Sequence, residues 1–348
     1  MVFIMAATNT NAIDAKPFPL PERDYPITMK ENVMLALNHQ VPVWIPNLYG
    51  SGQLFYSSIA NDSPVNKQAD AVDWFGVEYK YSEAQGSNTP MGNVLTEING
   101  WEKKLHWEDM TQYDWESDAK SIVRDESKAL YMRMSNGFFE RLHMLEGFEQ
   151  ALMDVLLEPE AVHDFMMRYC DFKIELFHHM RKFLPFDFII AADDWGTARA
   201  PFFSVETMEK TVLEPTKKFV KAVQATGTKF IQHCCGVINP FIPYLVDEIG
   251  VDGLEIQTDL NDLSWILDNF GSRVAVGFSG KKRILNNPNA TEDEVRAYAR
   301  EVVDSYGAGA VPGSGVLTNA MAASENIFRV YEDELYEHSL KKYALLRG

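Results

Sequence analysis

A histidine and a cysteine two residues apart form the pair in this sequence best suited to binding a metal. His233 and Cys235 lie at the end of a predicted β-strand, residues 230–233. Residues two apart in a strand project to the same side, so the imidazole and the thiolate would face one point. Two zinc ligands fit that arrangement, and Glu255, in the next predicted strand, could add an oxygen. A histidine held by hydrogen bonds beside small buried cysteines is the alternative.

Two adjacent acids end another predicted strand. Asp193 and Asp194 could serve as acid and base or orient a substrate hydroxyl. Acids at a strand end also cap helices or bind loop amides, so both interpretations stay open. Trp195 could form an aromatic wall or simply pack. Cys234 is expected to point away from its neighbours into the core, and Cys170 to lie on the buried face of a helix.

Strands and helices alternate through the second half of the chain. The predicted strands are residues 186–192, 230–233, 253–256, 273–276 and 310–311, and the predicted helices are residues 205–225, 240–249, 263–270, 291–306 and 324–343. With an early strand at 41–46, this order favours a closed (β/α)8 TIM barrel in the α/β class. An open doubly wound sheet is the alternative, but no G-x-G-x-x-G follows the first strand. Active sites of such barrels lie at the carboxyl ends of the strands, where the residues above are expected.

The first half is less regular. A capping box at Thr28 and Glu31 predicts a helix through about residue 38, and apolar spacing predicts helices over 148–156 and 161–183. Residues 48–135 stay unassigned, apart from a predicted β segment at 101–107. We expect residues 1–27 to form an N-terminal extension and residues 28–348 to form a single barrel domain.

The composition of the chain limits the kinds of partner that it is expected to bind. The 348 residues include 32 basic and 50 acidic side chains, giving a net charge of −18 and a pI near 4.9. That balance argues against nucleic-acid and anionic-membrane surfaces, which need a basic face. Three cysteines exclude a disulfide framework, and no targeting or membrane-spanning segment is visible, so a cytoplasmic location is expected. The sequence is compatible with a homodimer.

Several segments resemble the uroporphyrinogen decarboxylase superfamily. They are residues 29–32, 41–44, 140–159, 230–236, 247–255 and 313–326, in the family's order. The resemblance implies a TIM barrel with one of two chemistries. The decarboxylases carry an arginine-rich motif for the carboxylates of their substrate, whereas the matching residues 44–50 contain no arginine. With the net charge of −18, this weighs against an eight-carboxylate porphyrinogen.

The other branch of the superfamily holds corrinoid-dependent methyltransferases. There the resemblance implies zinc bound by His233, Cys235 and Glu255, with a second cysteine farther along the chain. This sequence has Ser314 at that place. A site with one thiolate is less suited to activating a thiol such as coenzyme M, so an O-demethylase component acting on an aryl methyl ether is favoured. A coenzyme M-type methyltransferase, a decarboxylase-like lyase and a non-catalytic ligand-binding barrel are the alternatives.

The methyl acceptor implied by this branch is cobalamin. None of the eight histidines lies in an Asp-x-His-x-x-G cobalamin signature, so the corrinoid is expected on a separate protein. Asp193 or Asp194 would hold a ring hydroxyl. The substrate pocket would be lined by Trp44, Tyr49, Trp195, Phe202, Phe203 and Ser314.

Overall fold

The computed structural model of the chain describes residues 18–64, 69–83, 87–91, 93–280 and 282–347. Two compact units are present. The first contains the described residues up to Gly52 and those from Asp262 onward, and the second contains Gln53–Asn261. Part of the predicted N-terminal extension, residues 1–17, lies outside the described residues, and the single-domain boundary stays a prediction.

The elements follow one another in a mainly alternating order. The strands are β1 (Gly52–Phe55), β2 (Ala71–Val72), β3 (Glu78–Ser82), β4 (Ser87–Met91), β5 (Ala129–Met134), β6 (Phe188–Ala192), β7 (Lys229–Cys234), β8 (Gly253–Ile256), β9 (Ala275–Phe278) and β10 (Val316–Thr318). The helices are α1 (Met29–Leu37), α2 (Trp101–Lys104), α3 (Trp115–Ala119), α4 (Phe138–Glu146), α5 (Phe148–Leu157), α6 (Pro159–Arg181), α7 (Val205–Lys210), α8 (Leu213–Gln224), α9 (Leu263–Phe270), α10 (Lys282–Leu285), α11 (Glu292–Tyr306) and α12 (Glu325–Arg347). Short 3-10 and π turns cover Met110–Gln112, Asn239–Phe241 and Tyr244–Ile249.

In the second unit, strands β5, β6, β7 and β8 pair in parallel in that order. All five residues of β6 and all four of β8 are buried, as expected for parallel strands covered on both faces. The register sets Ala192 beside His233, and His233 beside Glu255. Strands β2, β3 and β4 form a separate antiparallel sheet. The parallel register therefore brings the ends of β6, β7 and β8 to one edge.

In the first unit, β9 and β10 pair in parallel. The predicted capping box is present at the start of α1, where the Thr28 hydroxyl accepts from the Glu31 amide. Residues 18–28 precede α1 without regular structure, and Tyr25 from this segment stacks on Trp44. Together with the second unit, this confirms the predicted class, an α/β fold of the (β/α)8 barrel type. No described helix is long and apolar enough to cross a membrane.

Several predicted elements differ in the structure. The predicted helix over 240–249 is a 3-10 turn followed by a π turn, and the strand predicted at 273–276 is β9, which starts two residues later. Residues 41–46 form no strand, since Pro42 and Pro46 cannot donate to a ladder, and only a bridge from Asn47 to Thr318 follows them. Residues 101–107 begin as the short helix α2 because Trp101 and Leu105, four residues apart, are the buried pair.

Two further differences concern boundaries. The predicted helix over 205–225 divides into α7 and α8, because Pro215 needs a place in the first turn of a helix. The final strand is β10 rather than residues 310–311, which lie in a turn containing two left-handed glycines, Gly309 and Gly313.

Candidate metal centre

The end of β7 brings an imidazole and a thiol together. His233 Nε2 lies 3.5 Å from Cys235 Sγ, and neither residue is fully buried. The intervening Cys234 points the other way, as expected for a strand, and is fully buried. Its sulfur accepts a hydrogen bond from the Trp195 amide at 3.2 Å. Alternation along one strand therefore separates the candidate ligands from a core cysteine.

Asp194 completes this group from the neighbouring strand end. Its Oδ1 accepts a hydrogen bond from the Cys235 amide at 2.7 Å and lies 3.9 Å from His233 Nε2. One ligand atom from each of Asp194, His233 and Cys235 lies within 4.8 Å of the other two. Oxygen, nitrogen and sulfur donors in one group fit the chemistry of a zinc site, with room for a further ligand. We refer to these three residues as the metal cluster.

Glu255 contacts the other side of the same imidazole. Its Oε2 lies 2.8 Å from His233 Nδ1, and Glu255 on β8 is paired with His233 on β7. When Nδ1 carries the proton and donates it to this carboxylate, Nε2 presents its lone pair to Asp194 and Cys235. Glu255 was expected among the metal ligands. The structure instead gives it the position of the carboxylate that commonly orients a metal-binding histidine.

Burial governs the protonation of the cluster. Burial and the nearby Arg133 guanidinium lower the pKa of His233 to about 3, so the imidazole is neutral. Burial raises the pKa of Asp194, and burial together with the Asp194 carboxylate raises the pKa of the Cys235 thiol. Without a cation the cluster therefore favours neutral forms. A bound divalent ion favours the deprotonated thiol and carboxylate instead.

Asp193 forms hydrogen bonds with the start of α4 and not with the metal cluster. Its two carboxylate oxygens accept hydrogen bonds from the amides of Phe138, Phe139 and Glu140 at 2.9, 3.2 and 2.9 Å. These amides are the free donors at the start of α4, so Asp193 caps that helix. Gly137 permits the approach, since a Cβ there would fall 2.2 Å from the Asp193 Cβ. Asp193 and Asp194 thus project to opposite sides, and only Asp194 joins the metal cluster.

The predicted aromatic residues of the second unit pack mainly with one another. Trp195 is fully buried, with ring centroids 6.4 Å from Phe203 and 5.9 Å from Phe241. Phe203 is also buried, whereas Phe202 is half-buried against Phe139. Trp195 and Phe203 are therefore core residues of the second unit.

Trp44, Tyr49 and Ser314, predicted to contact the substrate, lie in the first unit. Trp44 is buried against Tyr25 and Tyr336, and Tyr49 is half-buried. Ser314 is 1% exposed and precedes β10, although the sequence placed it after the last strand. The late start of β10, at Val316, is the reason for this difference. Neither described unit contains all the predicted site residues.

Two residues of the site were missed from the sequence. Arg133, on β5, places its Nη1 3.5 Å from Glu255 Oε2. Glu140, in the first turn of α4, accepts a hydrogen bond from the Gly137 amide, and burial with the Asp193 and Asp194 charges raises its pKa. Both lie in or next to the unassigned region. The apolar run at 129–132 was the available signal for a strand ending near Arg133.

Comparisons with known proteins support the same fold. A family model described as uroporphyrinogen decarboxylase (URO-D) matches residues 74–327, so the chain belongs to that family. This confirms the resemblance recognised from the sequence. A search of curated proteins gives no significant match. A methyltransferase from Methanosarcina mazei has a similar structure, with a TM-score of 0.62 and 13% sequence identity, over 91% of this chain and 99% of the other. That likeness establishes a shared fold.

Proposed function

We propose that this chain is a corrinoid-dependent methyltransferase of the O-demethylase type. It would take the methyl group of an aryl methyl ether and transfer it to cob(I)alamin held by a separate corrinoid protein. Membership of the uroporphyrinogen decarboxylase family and the fold shared with a methyltransferase support this class. The observation that carries the proposal is the metal cluster Asp194–His233–Cys235 at the ends of β6 and β7.

Zinc is the metal that these donors suit. Asp194, His233 and Cys235 would hold it, and Glu255 would stay on the imidazole. A phenolate whose conjugate acid has a pKa of about 10 is a mediocre leaving group. When bound, the ion supplies a Lewis acid for the ether oxygen and so improves that leaving group.

The chain's own side chains prepare the site before any substrate arrives. Glu255 accepts the Nδ1 proton of His233 and fixes the orientation of the ring. Asp194 accepts from the Cys235 amide, which ties the ends of β6 and β7 together. Asp193 holds the start of α4 beside them. The ligand atoms are therefore positioned by hydrogen bonds to neighbouring strands and a helix.

The number of thiols weighs against coenzyme M as the methyl acceptor. Cys235 contributes the sulfur of the metal cluster, whereas Cys170 and Cys234 are fully buried, and the Cys234 sulfur accepts from the Trp195 amide. Cys170 Sγ contacts the Pro215 carbonyl, on the helix that follows α7. The decarboxylase alternative lacks an arginine in residues 44–50. An ether substrate fits these observations better than either alternative.

Spectroscopy of the cobalamin tests this proposal. The purified protein is loaded with zinc and mixed under anoxic conditions with cob(I)alamin, free and carrier-bound, and with candidate methyl donors. Guaiacol-type ethers should produce the visible spectrum of methylcobalamin, and His233→Ala and Cys235→Ala should lose both stoichiometric zinc and turnover. Cys170→Ser serves as the control and should keep both. Turnover with only methanol, methylamines or coenzyme M would overturn the ether assignment.

A further inference from the structure

We propose that residues 18–27, which we call the strap, open and close over a pocket beside the carboxyl end of β10, and that Arg23 is the latch that keeps them closed. The strap and the pocket both lie in the first unit, whereas the metal cluster lies in the second. The proposal therefore does not depend on the proposed methyl transfer.

The strap is attached to the first unit mainly by side chains. Among the described residues, no backbone–backbone hydrogen bond joins residues 18–27 to the rest of the chain. Pro19, Pro21 and Pro26 lack the amide hydrogen that such a bond needs. Every residue of the strap also keeps some exposure to solvent, since none is fully buried. A segment with these properties can detach at a small cost in free energy, without unfolding of the unit.

Arg23 anchors the strap to α12. Its Nη2 lies 2.7 Å from Asp333 Oδ1, and its Cζ lies 4.4 Å from the centroid of the Tyr336 ring. The guanidinium therefore combines an ion pair with a cation–π contact. Tyr25 lies next to it, stacked on Trp44 with ring centroids 5.0 Å apart. Replacing Arg23 by a neutral residue would remove the ion pair and the cation–π contact together.

Two features of the latch lower the cost of opening. The Nε atom of Arg23 is buried and has no hydrogen-bond partner within the described part of the chain, which makes the closed state less favourable. The Arg329 guanidinium lies 3.7 Å from the other carboxylate oxygen of Asp333. Asp333 therefore keeps a cation nearby when Arg23 leaves.

A small pocket lies beneath the strap. Side chains from the strap and from the rest of the unit line it, namely Leu20, Arg23, Tyr25, Trp44, Asn47 and Glu332. The pocket lies beside β10, because Pro46 and Leu48 hydrogen-bond to Thr318, the last residue of that strand. Barrels bind their ligands at the carboxyl ends of the strands. The closed pocket has room for about one water molecule, so a larger ligand could enter only when the strap opens.

Proteolysis of the folded protein tests the proposal. Endoproteinase Glu-C cleaves after glutamate, and Glu22 in the strap is exposed. Mass spectrometry of the full chain gives the rate of cleavage after residue 22. This rate should be at least about tenfold below that of a synthetic peptide of residues 18–28, since only the open strap is cleaved. Urea at about 1 M should change it by less than about twofold, because a short opening exposes little surface.

Arg23→Gln should raise the cleavage rate about tenfold, and Asp333→Asn, which leaves the cleaved bond unchanged, about two- to fivefold. The double variant should exceed Arg23→Gln by less than about twofold, because both substitutions remove the same ion pair. Arg23→Lys should lie closer to the wild type. Peptides with the same substitutions correct for the sequence preference of the protease. Arg300→Gln is the matched control, since it removes a 2.7 Å ion pair with Glu334 on α12 and should leave the rate unchanged.

Three results would overturn the proposal. Cleavage of the wild-type chain as fast as the peptide would mean that the strap does not close. A rate that rises more than about fivefold in urea at about 1 M would mean that the strap detaches only when the unit unfolds. An unchanged rate in Arg23→Gln would mean that Arg23 is not the latch. Circular dichroism would verify that each variant is folded.

Discussion

His233 lies between two carboxylates that have different roles. Asp194 faces Nε2 at 3.9 Å, on the side of Cys235, and Glu255 faces Nδ1 at 2.8 Å. Glu255 favours the tautomer with the proton on Nδ1, which leaves Nε2 free to bind a metal. Asp194 is the carboxylate on that side of the ring. If zinc binds as proposed, Asp194 would be a ligand and Glu255 an orienting residue, a distinction that each substitution should reveal separately.

Glu255→Gln should weaken zinc binding without abolishing it. The amide can still accept from Nδ1 but lacks the charge that makes the imidazole a stronger ligand, so affinity should fall by about 10- to 100-fold. His233→Ala should remove binding altogether. Competition with a chromogenic chelator measures both. Glu332→Gln is the control, since Glu332 is also buried, bonded to Asn47 in the first unit. Unchanged affinity in Glu255→Gln would contradict the orienting role.

Glu146, at the end of α4, should make stability depend on pH. It is 1% exposed, and burial together with the Asp154 carboxylate raises its pKa to about 8. Asp154 accepts hydrogen bonds from the Ile98 amide and the Gln150 side chain, and Glu146 holds its proton below its raised pKa. The unfolded chain loses that proton near pH 4.5, so the free energy of unfolding should fall as the pH rises from there to about 8.

Glu146→Gln should remove this fall, because glutamine is neutral throughout. Urea denaturation gives the free energy of unfolding of the variant and of the wild type. The difference between the two should be about 1 kcal/mol or more in favour of the variant at pH 8.5, relative to the same difference at pH 5. Glu149→Gln changes an exposed residue on the next helix and should give no such gain. The same difference at both pH values in Glu146→Gln would contradict the explanation.

At the scale of elements, Asp193 joins the end of β6 to the start of α4. Both of its oxygens are acceptors, one for Phe138 and Phe139 and the other for Glu140. Asp193→Asn would turn a donor group toward backbone donors, so the free energy of unfolding should drop by about 1–3 kcal/mol in a denaturant titration. Asp114→Asn is the control, since Asp114 caps α3 with one acceptor and asparagine is an equally good cap. Equal losses in the two variants would contradict this role.

The sequence predicts β6, β7 and β8 well, because these strands lie where short apolar segments alternate with predicted helices. It misses β5, which lies in the irregular region before the first long helices, and β10, which has only three residues. The pairing of His233 with Cys235 follows from the two-residue period of a strand. The different contacts of Asp193, Asp194 and Glu255 depend on the register of the strands and on the position of α4. Those are tertiary features that local patterns do not contain.

For the whole molecule, family membership sets the fold and the local site sets the chemistry. The same barrel serves decarboxylation and methyl transfer, so function must be argued from the residues at the strand ends. The net charge of −18 disfavours a polyanionic substrate, and a neutral aryl methyl ether meets no such barrier. The net charge of the chain therefore agrees with the proposed aryl methyl ether substrate.

Tracing the methyl carbon gives the most direct test of that function. The zinc-loaded protein would be incubated with cob(I)alamin and a guaiacol-type aryl methyl ether labelled with carbon-13 in the methyl group. We expect labelled methylcobalamin together with one equivalent of the free phenol, and neither product with His233→Ala. Release of the phenol without label on cobalamin, or equal labelling with His233→Ala, would contradict it.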